Sequence, residues 1–234
     1  MNKTKLSIEL EKNNGRVFVC GDIHGMYDEF TKLLEQIGFN FDEDLMICTG
    51  DLVDRGPQSL DCFNLTYRDW FVSCRGNHEQ FCLDCVKEGD RRTYQSHMSN
   101  GGMWFHNLPL DVKRVIANEI DNMPITITLA RNNKKYGFVH GDIPIHINDW
   151  SELNESLNGL SSETYLTHCI WGRSRVRQSM ASQWKNHINN IINGVDEVFI
   201  GHTVIHDHKK VGNINYIDTG LVYDGYNKLT IIEL

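Results

Sequence analysis

Three short apolar runs, Arg16 to Cys20, Leu45 to Cys48 and Trp70 to Cys74, follow one another at intervals too brief for anything but a compact α/β core. Between the first two, Tyr27, Phe30, Leu33, Leu34 and Ile37 recur at three- and four-residue spacings, which predicts a helix stopped by Gly38. Between the second and third, Leu60, Phe63 and Tyr67 after Pro57 suggest another helix. Strand, helix, strand, helix, strand at this spacing means βαβ units with parallel pairing. Each run ends in a polar turn: Gly21-Asp22-Ile23-His24-Gly25, Gly50-Asp51-Leu52-Val53-Asp54-Arg55-Gly56 and Arg75-Gly76-Asn77-His78-Glu79. Parallel pairing brings all three turns to the carboxyl edge of one sheet, where open α/β sheets bind ligands.

The rest of the chain repeats the pattern more loosely. Residues 1–15 are a lead-in with an edge strand expected around Leu6 to Leu10. Residues 80–123 read as mainly helical, broken by the turn Asn100 to Phe105, which carries two aromatics. Ile125 to Leu129 and Tyr136 to Val139 form a hairpin around Asn132-Asn133, and its second strand ends in His140-Gly141-Asp142. Glu197 to Ile200 is a further strand and ends in Gly201-His202-Thr203. Strands at Ile214 to Asp218 and Leu229 to Ile232 close the chain. In the least patterned stretch, 143–195, Trp184, Ile188, Ile191 and Ile192 suggest a helix. Arg173, Arg175 and Arg177 share one face if that segment is extended. No repeat or linker divides the sequence, so the expectation is a single domain over 1–234, a β-sandwich of two mixed sheets flanked by helices around a βαβαβ core.

Composition narrows the function classes. A formal net charge of -8 opposes a nucleic-acid groove, which needs clustered Lys and Arg. No apolar run is long enough to span a bilayer and no signal-peptide core follows Met1, so a cytoplasmic protein with no membrane association is expected. The 7 cysteines are odd in number and Cys20, Cys48 and Cys74 fall in or at the end of apolar strands, which suits free thiols in a reducing compartment. Cys82 and Cys85 form the only Cys-x-x-Cys. Without a second such pair to complete a tetrahedral zinc site, they are expected to be neighbours one turn apart on a helix.

Five strand ends therefore carry Asp22 and His24, Asp51, Asn77 and His78, His140, and His202. Oxygen and imidazole donors without thiolate suit Mn, Fe, Zn or Co. Two divalent ions bring about four positive charges and the carboxylates of Asp22 and Asp51 remove about two, which leaves a centre that attracts a phosphate dianion.

These motifs, Gly21 to Gly25, Gly50 to Gly56, Gly76-Asn77-His78-Glu79, His140-Gly141-Asp142 and Gly201-His202-Thr203, resemble those of the binuclear metallophosphoesterases. Within that superfamily the chain is similar to the small bacterial and lambda-type phage serine/threonine protein phosphatases. The resemblance spans roughly residues 16–234 and takes in Asn100 to Phe105, Trp171 to Val176 and Ile217 to Gly220. It implies that Asp22 and His24 hold one metal, that Asn77, His140 and His202 hold a second, and that Asp51 bridges them. It further implies that His78 is the general acid with Asp54 fixing its ring, and that Arg55 and Arg173 grip phosphate. Arg175 competes with Arg173 for the last role. Gly141 and Leu221 stand where relatives often carry Ala, at positions that supply no ligand.

The resemblance implies a cofactor of two divalent metal ions, Mn first, with Fe, Zn, Co or Ni as the other candidates. The substrates implied are phosphorylated proteins or peptides bearing phosphoserine and phosphothreonine, with phosphotyrosine as a further candidate. The reaction expected is direct attack of hydroxide held between the metals, without a phosphoenzyme, in a monomeric enzyme. One alternative is a symmetrical dinucleoside tetraphosphate hydrolase, of the same superfamily. An alternative of another class is a catalytically silent scaffold, which the intact set of ligands, His78 and Arg55 opposes.

Overall fold

A computed structural model describes residues 7–11, 14–159, 162–180 and 189–234. The opening runs form β2 (Val17–Cys20), β3 (Leu45–Cys48) and β4 (Phe71–Ser73), all parallel, after an N-terminal strand β1 (Ser7–Glu11). Between β2, β3 and β4 lie α1 (Tyr27–Gln36) and α2 (Ser59–Asn64), the latter extended by a 3-10 turn at Leu65–Tyr67. The C-terminal strand β10 (Ile231–Glu233) pairs antiparallel with β2 and completes a four-stranded sheet.

The second sheet has six strands in the order β1, β5 (Thr126–Arg131), β6 (Lys134–Val139), β7 (Glu197–Ile200), β9 (Ile214–Tyr216) and β8 (Lys209–Val211). β1 is an edge strand, parallel to β5. The β5–β6 hairpin turns at Asn132 and Asn133, both with positive φ (50° and 63°), as the mirror-image turn of a tight hairpin requires. The expectation of two mixed sheets flanked by helices holds.

Every residue of β2 is buried because the sheet is covered on both faces. Val17, Val19 and Ile47 pack with Ile127, Leu129, Phe138 and Phe199 between the sheets. Phe18, Cys20, Met46 and Cys48 face the opposite way, against Phe30 and Leu34 of α1 and Leu83 of α3 (Asn77–Lys87). On the far side of the six-stranded sheet, Val139, Val198 and Ile200 pack on Trp150, Leu153 and Leu157 of α7 (Trp150–Asn158). The helices α4 (Arg91–Ser99), α5 (Met103–His106) and α6 (Leu110–Asn122) fill the stretch between α3 and β5.

The stretch 143–195 departs from the expectation. It contains α7, α8 (Ser162–Trp171) and α9 (Ser174–Met180), so Arg175 and Arg177 are helical and the three arginines do not form an extended face. The cause is a distant partner: Asp142 Oδ2 accepts the backbone N–H of Arg175 at 2.7 Å and starts the helix there. Trp184 and Ile188 lie outside the described residues. Ile191 and Ile192 are not helical, and Ile192 donates its N–H to Asn213 Oδ1. Ile214 to Asp218 ends as a strand at Tyr216, and β8, which the sequence pattern missed, pairs with β9.

Candidate metal centre

The carboxyl ends of β2, β3, β4, β6 and β7 meet where the two sheets converge. Ile23 N and His24 N both donate to the carbonyl of Asp51 (3.1 and 2.9 Å), which ties the first turn to the second. His24, Asp51, Asp54, Arg55 and His202 all have left-handed backbone (φ 48°, 54°, 70°, 71° and 64°). Such conformations are strained for residues with a Cβ, and functional sites are where they concentrate. Gly76 has no substitute, since a Cβ there collides with the Asp51 carboxylate.

Asp22, His24, Asp51, Asn77, His78, His140 and His202 are all buried and stand around one centre. Asp51 Oδ2 lies 3.6 Å from His24 Nε2, and Asp51 Oδ1 lies 3.3 Å from His140 Nε2. One carboxylate thus faces two groups. In the first, His24 Nε2 is also 4.0 Å from Asp22 Oδ2. In the second, His140 Nε2 is 3.0 Å from Asn77 Oδ1, and His202 joins Asp51 and His140 with ligand atoms within 4.8 Å of one another.

Tautomers make the chemistry of the centre explicit. His24 Nδ1 sits 3.0 Å from the carbonyl of Val53, and His140 Nδ1 sits 3.2 Å from the carbonyl of Thr49. A nitrogen beside a carbonyl is the N–H, so both Nε2 lone pairs point inward. Around His140 Nε2, an imidazole lone pair, a carboxylate oxygen and an amide oxygen converge with no donor among them. Acceptors packed this way demand a cation. Burial pushes the His24 imidazole down to about 3 and the His202 imidazole to about 2, which keeps both neutral and able to ligate. Burial, then Asp218 and Asp51, push the Asp22 carboxyl well up. Burial opposes ionisation of Asp51 too, but His140, His78 and His24 outweigh it and hold that carboxyl well below its usual value.

His78 Nδ1 donates to Asp54 Oδ2 at 2.7 Å, while its Nε2 is buried without a partner and is 3.9 Å from Asp51 Oδ2. Asp54 is also held by Trp104 Nε1 (2.6 Å) and His97 Nε2 (3.2 Å), both on Oδ1. Despite burial, its bonds to His78 and His97 lower the Asp54 carboxyl. Arg55 is exposed at the rim, its guanidinium 5.3 Å above the Tyr223 ring and its Nη1 against His24 Nε2. Arg173 reaches the opposite rim, where Nη1 donates to the carbonyl of His202 at 3.0 Å and to Thr203 Oγ1 at 3.1 Å.

Arg175 is elsewhere. It is fully buried and donates to the carbonyls of Ile143, Pro144, Ile145, Ile147 and Asn189, so it braces a loop. A cavity of about 1030 Å³ between α8 and α9 is lined by Trp171, Arg173 and Arg177.

Sequence reasoning passed over Glu79, whose buried carboxylate accepts from Gly76 N, Asp51 N and Leu52 N (2.8, 3.0 and 2.8 Å) and more distantly from Val53 N at 3.3 Å. The available signal was its position as the third residue of α3, from which a Glu returns to the N-cap N–H. It also passed over Asp218, buried beside Asp22 with its carboxyl raised to about 6, first by burial. His206 and His208 play no part in the centre: His206 pairs with Asp207 on the surface, and His208 bonds Asn215.

A family model for the calcineurin-like phosphoesterases matches residues 15–206 of this chain. The chain belongs to that family. Its relatives include serine/threonine-protein phosphatase 1 of Salmonella typhimurium, 30% identical over 95% of this chain and 94% of that protein. Serine/threonine-protein phosphatase 2 of Escherichia coli is 32% identical over 87% of each. The symmetrical bis(5'-nucleosyl)-tetraphosphatase of Wigglesworthia glossinidia brevipalpis is 28% identical over 89% of this chain and 92% of that one. Among solved structures, a proposed diadenosine tetraphosphatase superposes with a TM-score of 0.65 at 18% identity, covering 97% of this chain and 96% of that one. A cold-active protein-tyrosine phosphatase of a Shewanella psychrophile gives 0.62 at 17%, covering 95% and 76%; both likenesses concern the fold alone. Calcineurin-like phosphoesterases work with a binuclear metal centre, and the donor set around Asp51 suits one.

Proposed function

We propose that this metallophosphoesterase is a phosphoprotein phosphatase that hydrolyses phosphoserine and phosphothreonine monoesters, with phosphotyrosine as a further substrate. One observation carries the reading: Asp51 turns one carboxylate oxygen to each of two donor groups, with the His78–Asp54 pair beside it. Asp22, His24 and Asp51 would hold one divalent ion, and Asn77, His140, His202 and Asp51 the other. Oxygen and imidazole donors without thiolate suit Mn, Fe, Zn or Co alike, and the resemblance to the small bacterial and phage phosphatases puts Mn first, with Fe, Zn, Co or Ni as alternatives. When bound, such a pair supplies positive charge against the phosphate oxygens and makes a strong nucleophile from water at neutral pH.

The side chains account for the rest. Arg55 and Arg173, on opposite rims, bind the phosphate and neutralise charge as it builds on the equatorial oxygens. His78, with Nδ1 fixed by Asp54, presents Nε2 toward the leaving group. A serine or threonine alkoxide is a poor leaving group, so its protonation by His78 Nε2 is what allows it to depart. No side chain is required to become phosphorylated.

A single domain over 1–234 is supported by the core between the sheets, which draws Val17, Val19 and Ile47 from one and Ile127, Phe138 and Phe199 from the other. All 7 cysteines are free, which suits the cytoplasm, and among the described residues no helix is long and apolar enough to cross a membrane. A monomer acting on phosphorylated proteins or peptides, not on nucleic acid, fits the -8 charge.

The tetraphosphatase relative supports a second reading, hydrolysis of a dinucleoside tetraphosphate. Length favours the phosphatase: the tetraphosphatase alignment runs over 252 residues at 89% of this chain, so that relative carries insertions this chain lacks, whereas phosphatase 2 of Escherichia coli aligns over 207 residues at 87% of each chain. Higher identity with the two phosphatases, over 87–95% of this chain, supports the phosphatase. Competition between diadenosine tetraphosphate and a phosphoserine peptide, with Mn bound, decides it. The peptide is expected to turn over faster, and faster turnover of the dinucleotide overturns the proposal.

A further inference from the structure

The Cys-x-x-Cys pair sits one turn apart on α3, as its spacing predicts, but its two thiols have different surroundings. Cys82 is fully buried and Cys85 is partly exposed. The next two helices bring imidazoles to Cys85. Its Sγ lies 3.5 Å from His97 Nδ1 on α4 and 3.9 Å from His106 Nε2 on α5, and those two nitrogens are 3.1 Å apart.

These separations have a meaning in coordination chemistry. Zinc in a tetrahedral site holds nitrogen and thiolate at lengths that place two nitrogens about 3.3 Å apart and nitrogen from sulfur about 3.6 Å apart. The three observed distances fall close to those edges. The triangle is also built in advance. Phe81 stacks on His97 (ring centroids 5.6 Å apart, planes at 15°), and a Cβ at Gly102 would collide with the His97 ring. His97 Nε2 is held by Asp54 Oδ1 at 3.2 Å, the carboxylate–histidine arrangement that supports a metal ligand and turns Nδ1 toward Cys85 and His106. The His106 ring is set edge-on against Tyr94 at 4.4 Å. From outside, a cavity of about 210 Å³ lined by Asp90, Tyr94 and Lys113 reaches both Cys85 and His106, with room for a water as fourth ligand.

We propose that Cys85, His97 and His106 bind one thiophilic divalent cation of the zinc class, apart from the pair centred on Asp51. A thiolate with two imidazoles discriminates against Mn and Mg, so the two kinds of site load with different metals. Binding displaces the thiol proton of Cys85 to solvent. The site lies behind the general acid. A cation on His97 Nδ1 leaves Nε2–H to donate to Asp54, the carboxylate that also accepts from His78 Nδ1, so its occupancy fixes the support of His78.

Titration of the full-length, Mn-loaded protein with Co2+ tests this, because a thiolate-to-cobalt charge-transfer band is available to Cys85 and to none of the donors around Asp51. The band is expected to level off at the intensity of one thiolate-bound cobalt per chain, to vanish when Zn2+ is added, to be absent in Cys85→Ser, and to need at least about ten-fold more metal in His106→Gln. Cys82→Ser should retain it. No band in the unmutated protein, a band that survives Cys85→Ser, or one abolished only by Cys82→Ser overturns the site. In the unmutated protein, Zn2+ should also protect Cys85 from iodoacetamide as read by mass spectrometry, and undiminished labelling counts against the site whether or not the variants fold. Failure of Mn to bind at Asp51 would leave this band in place, so the two proposals fail separately.

Discussion

Replacing Glu79 with Ala should destabilise the metal-free protein strongly, although Glu79 is expected to touch neither metal nor substrate. Its carboxylate is the acceptor for three well-placed backbone N–H groups, of Gly76, Asp51 and Leu52, all within 3.0 Å. A buried donor left without an acceptor costs about 1–3 kcal/mol, so three cost about 3–9 kcal/mol. Against this stands relief of a buried charge. Burial, and next the Asp51 carboxylate, raise the Glu79 carboxyl from 4.5 to about 7, so keeping it ionised in the fold costs roughly 3 kcal/mol that the alanine variant escapes. The difference is about 0–6 kcal/mol, with its centre near 3 kcal/mol. At about 2–4 °C per kcal/mol for a chain of this size, that central value lowers Tm by about 6–12 °C. Glu79→Gln keeps one acceptor oxygen but turns an NH2 toward N–H groups, and should fall between. Calorimetry on the metal-free proteins measures both, and a Tm for Glu79→Ala within about 2 °C of the parent would refute the argument.

Two further outcomes follow from the positions of His78 and the arginines. Replacing His78 with Asn should cut turnover of a phosphoserine peptide by about two to four orders of magnitude while metal stays bound, and should cost much less with p-nitrophenyl phosphate, whose leaving group needs no proton. An equal loss on both substrates would remove His78 from the acid role. Arg173→Ala should raise KM for phosphopeptide while shifting Tm little, whereas Arg175→Ala, which strips donors from five carbonyls, should lower Tm by several degrees. The reverse pattern would exchange their roles.

The parts of the fold that local chemistry dictates were legible in the sequence. Leu45–Cys48 and Glu197–Ile200 are strands with the expected limits because apolar β-formers there run straight into a polar, glycine-marked turn. The Asn132-Asn133 hairpin is set by residues that tolerate positive φ. What depends on distant partners was not legible. Alternating arginines from Arg173 to Arg177 look like one face of a strand, yet Asp142, thirty-odd residues earlier, starts a helix there. The left-handed backbone at His24, Asp51, Asp54 and Arg55 goes against the preference of those residues, and long-range bonds from the Asp51 carbonyl and the Glu79 carboxylate hold it. Asp54 was readable as a partner of His78, but its contacts with Trp104 and His97 were not. They come from helices whose arrival at the site has no local marker beyond the two aromatics after Gly102.

Anomalous diffraction from crystals grown with Mn2+ tests the central claim most directly. Two peaks about 3.5–4 Å apart are expected on either side of the Asp51 carboxylate. Asp22 and His24 should flank one, and Asn77, His140 and His202 the other. A single peak, or peaks that leave Asp51 without a metal contact, would contradict the account.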